Sequence, residues 1–302
     1  MLHDYTQLCM FMFDGVSEEK PVVVGPGDSY RRHMTSPRGP LTAADYLHHL
    51  RADSARARTV LRDADPSARV PGCPDWSVDD LLWHLGPQVQ GFWAYVVRRR
   101  PAPPADWEEP TRPADHAGVL AAFDEAHAAL VTALEAADPA EEAWSWSPDQ
   151  TVGFTLRRQA HEALVHRVDA EQAAGVDPAP IDPWLAADGV EETLAVMFRG
   201  KPDWGVFAAT GQHVRVDLTD AAAPVWVQLG RFTGTDPEGG RHDLDDIAVV
   251  PDPHVEPDVV IAGPAAAVDL WLWRRGDDAA VTATGDSEAH ARFLGCVAHP
   301  IE

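Results

Sequence analysis

The run His161-Glu162-Ala163-Leu164-Val165-His166 puts two imidazoles and one carboxylate within six residues. It is one residue longer than the HExxH spacing, in which two histidines share a zinc ion. On a helix His161 and His166 stand about 140° apart and do not share a metal easily. Glu162 and His166, four residues apart, lie about 40° from each other on one face, so that pair can chelate a divalent ion while His161 points elsewhere.

A metal site needs further ligands, and a catalytic zinc site commonly has three from the protein, with a fourth position open. His84 is the best third candidate, because it follows the core-facing Leu81 by about one turn and sits in a helical context of its own. Arg158 and Asp169, one turn either side of the Glu162/His166 pair, are placed to orient the ligands. Alternative readings stand beside these. A histidine in an apolar helix is often a hydrogen-bonded core residue, a Glu/His pair at this spacing is often a surface pair, and Arg158 and Asp169 could be solvated charges.

Helices must position these residues, and the periodicity predicts four. The first runs over 42–64, with Ala43, Leu47, Leu50, Ser54, Ala57 and Leu61 on one face. The second begins after Trp76 with Ser77 as N-cap and Asp80 three residues on, and Pro87 is expected to kink it. The third spans 114–137, with a stripe of Val119, Leu120, Phe123, Ala126, Leu130 and Leu134. The fourth spans 154–174 and ends at Gly175. A proline-rich linker follows over 176–183. Beyond it, strands are predicted at His213–Leu218, Pro224–Leu229, Val259–Ile261 and Ala280–Thr284, with helices at Ala265–Arg274 and Ser287–Phe293. Three parts result: 1–40 as an unstructured extension, with Met34 as an alternative start; 41–175 as a metal-binding four-helix bundle; and 178–302 as a small α+β domain.

The bulk composition narrows the function. The 302 residues carry a net charge of −24, a field that repels a phosphate backbone and argues against nucleic-acid binding. No stretch approaches the roughly 18–20 unbroken apolar residues of a membrane span. The three cysteines, Cys9, Cys73 and Cys296, are too few and too scattered for a disulfide framework or a zinc knuckle, so a metal must rely on histidine and carboxylate. The expectation is a cytoplasmic monomer acting on a small molecule.

Two segments carry a family resemblance. Val70-Pro71-Gly72-Cys73-Pro74-Asp75-Trp76-Ser77-Val78-Asp79-Asp80-Leu81-Leu82-Trp83-His84-Leu85-Gly86 resembles the first signature of the mycothiol-dependent maleylpyruvate isomerases, within the DinB-like thiol-transferase superfamily. Arg157-Arg158-Gln159-Ala160-His161-Glu162, continuing through His166-Arg167-Val168-Asp169-Ala170-Glu171, resembles the second. The resemblance covers roughly 41–175 well and 178–300 more weakly, the latter as a domain related to sterol-carrier-protein-like folds. It implies a DinB-like four-helix bundle followed by an α+β domain. It also implies zinc, or another divalent metal, on His84, Glu162 and His166, with mycothiol as thiol cosubstrate activated as a thiolate for addition to a small electrophile. Members tend to carry an arginine after the helix that follows the Gly-Pro turn. Here Leu272-Trp273-Arg274-Arg275-Gly276 offers Arg274 and Arg275 as catalytic candidates for pairing with a substrate or mycothiol carboxylate. Either could instead be a helix C-terminal cation. A hydrolase using zinc-bound water and a non-catalytic metal-binding stress or regulatory protein are the rival functions.

Overall fold

The computed structural model describes residues 40–198, 204–221 and 224–298. The expected extension at 1–40 and Cys9 lie outside the described residues, Pro40 excepted. The chain divides into two units: Leu41–Leu185 together with Trp273–Arg275, and Ala186–Leu272 together with the residues after Arg275. The boundary therefore falls beyond the proline-rich linker segment.

The first unit is helical. Helix α1 (Ala43–Leu61) starts at Thr42, whose hydroxyl accepts from the Asp45 amide while the Asp45 carboxylate accepts from the Thr42 amide. A short hairpin, β1 (Arg69–Val70) and β2 (Cys73–Ser77), then turns the chain. Helix α2 (Val78–Trp83) opens on the same reciprocal cap, built from Ser77 and Asp80. It continues as a π-helical stretch, His84–Gln90, and then as α3 (Gly91–Arg99). Pro87 lies inside the π-helical stretch, where it has no N–H to give to the preceding turn. The predicted kink is thus a widened turn, in which the Gly91 amide reaches the Gly86 carbonyl five residues back. Helix α4 (His116–Glu135) is capped by Asp115, and α5 (Val152–Ala174) by Thr151; α5 ends at Gly175 in the left-handed conformation, φ 63°.

Helix α1 packs along α5, and α3 along α4. Leu50, Leu61, Val78, Leu81, Leu82, Leu85, Phe123, Leu130 and Leu164 are almost fully buried between them. Helix α4 has the length and composition of a membrane span. Its apolar stripe is nonetheless used inside this unit, and Arg58 of α1 chelates Asp124 on its outer side at 3.0 and 2.8 Å. The predicted starts of α4 and α5 shift by about one turn or less, because Asp115 and Thr151 supply the caps.

The second unit opens with α6 (Pro183–Glu192), which begins at the end of the helical unit and passes into a π-helical turn, Thr193–Met197. A five-stranded sheet follows in the order β5-β4-β3-β6-β7. Its strands are β3 (Gly205–Leu218), β4 (Val225–Thr235), β5 (Arg241–Val250), β6 (Val259–Gly263) and β7 (Thr282–Gly285). Only the β3–β6 pair is parallel. Helix α7 (Ala265–Leu272) links β6 to β7, and α8 (Ser287–Cys296) packs on the sheet through Ala289 and Phe293. Strand β5 and helix α6 have no counterpart in the sequence prediction. In β5, Asp243, Asp245 and Asp246 mask the strand alternation, and Arg231 of β4 offsets the first two.

The π-helical stretch is clamped at Gly86. A Cβ there would lie 2.8 Å from the Phe123 Cα and 2.9 Å from its ring, so the α4 backbone would have to move. Gly86→Ala is expected to lower stability by about 1–3 kcal/mol, as overpacking does. Urea unfolding of the two proteins measures this, and an unchanged midpoint would show that the contact yields freely.

Candidate metal centre

The hairpin and the cap of α2 set His84. Val70, Cys73 and Trp76 bury one face of the hairpin in the helical core, and the Ser77/Asp80 cap fixes where α2 begins, six residues before His84. His84 then stands as the first residue of the widened turn. On α5, Glu162 and His166 share one face by their four-residue spacing. One ligand atom from each of His84, Glu162 and His166 lies within 4.8 Å of the others. Glu162 Oε1 is 3.2 Å from His166 Nε2 and 3.5 Å from His84 Nε2. His161, by contrast, packs edge-on against Tyr46 of α1 at 6.3 Å between ring centres.

Each member of the set is aimed by a neighbour. His166 Nδ1 donates to Asp169 Oδ2 at 2.9 Å, which leaves Nε2 facing Glu162 and His84. Arg158 Nη2 lies 3.3 Å from Glu162 Oε2, which leaves Oε1 to the cluster. The Arg158 guanidinium itself lies 5.4 Å from the centre of the Trp273 ring. Trp76 walls the site, its ring centre 4.5 Å from that of His84 and 5.8 Å from that of His166.

Of the two arginine candidates, Arg275 packs against Asp169, the partner of His166. Its Nε donates to Asp169 Oδ1 at 3.0 Å and its Nη2 to Asp169 Oδ2 at 3.2 Å, with the side chain only 5% exposed. Arg274 is exposed and has a left-handed backbone, φ 58°. Two further residues were not singled out by sequence reasoning. Cys73 Sγ accepts from Arg275 Nη2 at 3.1 Å. Gly72 leaves space for the Asp169–Arg275 pair, since a Cβ there would lie 2.2 Å from Asp169 Oδ1 and 2.9 Å from Arg275 Nε. The sequence signal for both was their place in the first signature segment, which carried no geometric meaning until the hairpin was folded against α5.

The electrostatics follow from burial. Burial pushes the His84 imidazole down, so it is neutral with a lone pair to give. Burial also works against the Glu162 carboxylate, but hydrogen bonds from His166 and His84 outweigh it and hold Glu162 well below the usual carboxylate range. Burial, with Asp169 beside it, pushes the Cys73 thiol up to about 12, which makes it a neutral bystander. The donors fit a divalent ion. They are two imidazoles and one carboxylate, with His84 Nε2 buried and facing Glu162 Oε1 at 3.5 Å.

His166 makes this arrangement testable by pH. Burial opposes its charge, but hydrogen bonds to Asp169 and Glu162 outweigh it and bring the imidazole up to about 9 in the metal-free protein. A raised folded pKa means that the contribution to stability is present in full below the unfolded value of 6.5 and is lost as pH rises through about 9. Urea unfolding of the metal-free protein should show wild type exceeding His166→Gln at pH 6 and the gap narrowing by pH 9.5. A gap independent of pH contradicts this. Metal binding must displace the same proton, so apparent metal affinity should climb across that interval.

Comparison with known proteins adds the family. Residues 47–171 match the mycothiol maleylpyruvate isomerase N-terminal domain, and residues 185–292 match the MDMPI C-terminal domain of the same isomerases. No curated protein matches. Among solved structures, the mycothiol-dependent maleylpyruvate isomerase in a histidine-to-alanine mutant form aligns with a TM-score of 0.49 and 14% identity, over 81% of this chain and 93% of that one. The isomerase without that mutation aligns with a TM-score of 0.45 and 13% identity over the same shares. With both family domains matched in order across more than half its length, the chain is an enzyme of the mycothiol-dependent maleylpyruvate isomerase family.

Proposed function

We propose that this protein is a zinc-dependent thiol transferase or isomerase that presents mycothiol as a thiolate to a small electrophile. The observation that carries the reading is the convergence of His84 Nε2, His166 Nε2 and a Glu162 oxygen, with Glu162 Oε1 3.5 and 3.2 Å from the two nitrogens. His84, Glu162 and His166 would hold the zinc, which would supply a Lewis-acid position able to lower the pKa of a thiol to near neutrality. We read the four helical runs of the first unit as the DinB-like bundle, and the cytoplasm as the location of the enzyme.

The residues of the chain have distinct tasks in this reading. Asp169 keeps a proton on His166 Nδ1, so Nε2 offers its lone pair to the ion. Arg158 occupies one oxygen of Glu162 and keeps the other inward. Trp76 excludes water beside both imidazoles. The thiolate then adds to an activated carbon–carbon double bond, whose electron pair moves into the adjoining carbonyl. Rotation about the resulting single bond and expulsion of the thiolate give the isomer. Retention of the sulfur on carbon, with uptake of a proton, gives the transferase product instead. Arg275 acts by holding Asp169, through two hydrogen bonds of 3.0 and 3.2 Å, and we assign it a positioning role.

Purified protein should carry about one metal ion per chain, and His84→Ala and His166→Ala should each lose most of it. Turnover of cis-configured activated alkenes should require both the metal and mycothiol. Full metal retention by both variants would remove the ligand assignment. Metal-dependent turnover without any thiol would transfer the site to zinc-bound water and hydrolysis.

A further inference from the structure

Helix α5 carries more than the Glu162/His166 pair on its inward face. Thr155, Gln159, Glu162 and His166 follow at steps of four, three and four, which confines them to a sector of about 60° around the helix axis. Thr155 is fully buried and Gln159 is 1% exposed. Among the described residues, Thr155 Oγ1 and both Gln159 Oε1 and Gln159 Nε2 are buried with no hydrogen-bond partner. Native proteins leave few buried polar atoms unpaired, because each loses its hydration without replacement. Buried neighbours such as Phe154, Leu156, Ala160 and Ala163 show that apolar side chains are accepted on this helix. Three unfilled hydrogen-bonding atoms in one line with the candidate ligands therefore point to a polar group that arrives from outside the chain.

Helix geometry gives the spacing of that group. Gln159 lies about 4.5 Å along the axis from Glu162, and Thr155 about 10 Å. A carboxamide side chain donates through nitrogen and accepts through oxygen, which matches an amide in both directions. We propose that Gln159 and Thr155 form the recognition subsite for the thiol cosubstrate, Gln159 pairing with an amide carried about two carbons from the sulfur and Thr155 with a hydroxyl farther out. This rests on the reading that the thiol sulfur occupies the position framed by His84, Glu162 and His166. The subsite selects acylated aminothiols over simple alkyl thiols. It does so through the penalty of leaving Gln159 unpaired when the amide is missing.

The test uses the full-length protein loaded with cobalt, whose thiolate charge-transfer band reports sulfur on the metal. Two probes are titrated: N-acetylcysteamine, with an amide two carbons from sulfur, and ethanethiol, with no polar group. Gln159→Leu should bind N-acetylcysteamine about tenfold more weakly, the loss of roughly one good hydrogen bond, and ethanethiol within twofold of wild type. Without thiol, its thermal midpoint should be unchanged or raised, since an unpaired buried group has been replaced by an apolar one. Thr155→Val should weaken mycothiol binding and leave both small probes unaffected. Equal weakening of both probes by Gln159→Leu, or no weakening of either, overturns the subsite and returns Gln159 to a structural role satisfied by internal water. If neither probe nor mycothiol produces a band in the wild-type protein, the thiol-on-metal reading itself fails and this subsite falls with it. A band in wild type without discrimination in the variant removes the subsite alone.

Discussion

The hydrogen bond from His166 Nδ1 to Asp169 is the constraint on which the site depends. It decides which ring nitrogen faces the cluster, and it joins two residues three apart on α5. Asp169 is buried, and burial disfavours a carboxylate; the His166 imidazole and the Arg275 guanidinium outweigh that and hold Asp169 below its ordinary pKa. Arg275 comes from far along the chain, in the short Trp273–Arg275 segment that packs with the helical unit. Gly72 lets the hairpin lie against this pair without a side chain in the way. The orientation of His166 thus draws on the hairpin, α5 and the residues after α7 together.

The charges around the candidate ligands are balanced in the same way. Glu162 and Asp169 face Arg158 and Arg275, so the two carboxylates are offset by two guanidiniums before any ion enters. Asp169 and Glu162 raise His166 to about 9, and the proton held there is the charge an incoming cation would replace. His84 behaves oppositely, being held neutral by burial. The two histidines therefore differ in what binding asks of them: one has a lone pair ready, and the other must release a proton first. The π-helical stretch contributes by geometry alone. Pro87 withholds one helical hydrogen bond and Gly86 packs onto α4, which seats the widened turn that begins at His84.

Much of this was legible in the sequence, for identifiable reasons. Four-residue spacing puts Glu162 beside His166 and turns His161 away; Glu162 Oε1 lies 3.2 Å from His166 Nε2, and His161 packs on Tyr46. The helices were readable because their apolar stripes are long and Ser77, Asp80 and Gly175 mark their ends. What escaped depends on contacts distant in sequence. The hairpin of β1 and β2 looks like a loop, because Pro71, Gly72 and Pro74 interrupt any alternation. Strand β5 hides behind its aspartates, whose partner Arg231 lies on another strand. The engagement of Arg275 with Asp169 spans more than a hundred residues, and spacing says nothing about such a pair. Unpaired buried atoms such as those of Gln159 are likewise a property of packing, invisible until its neighbours are known.

The central claim is that His84, Glu162 and His166 hold an ion with one position open to sulfur. X-ray absorption at the zinc edge reads this directly on the purified protein. Without thiol, the first shell should contain only nitrogen and oxygen near 2.0–2.1 Å, with the outer-shell pattern of two imidazoles. With mycothiol, one sulfur at about 2.3 Å should appear while both imidazoles remain. A sulfur shell already present before thiol is added, which would bring Cys73 into the site, or a first shell that mycothiol leaves unchanged, would contradict the account.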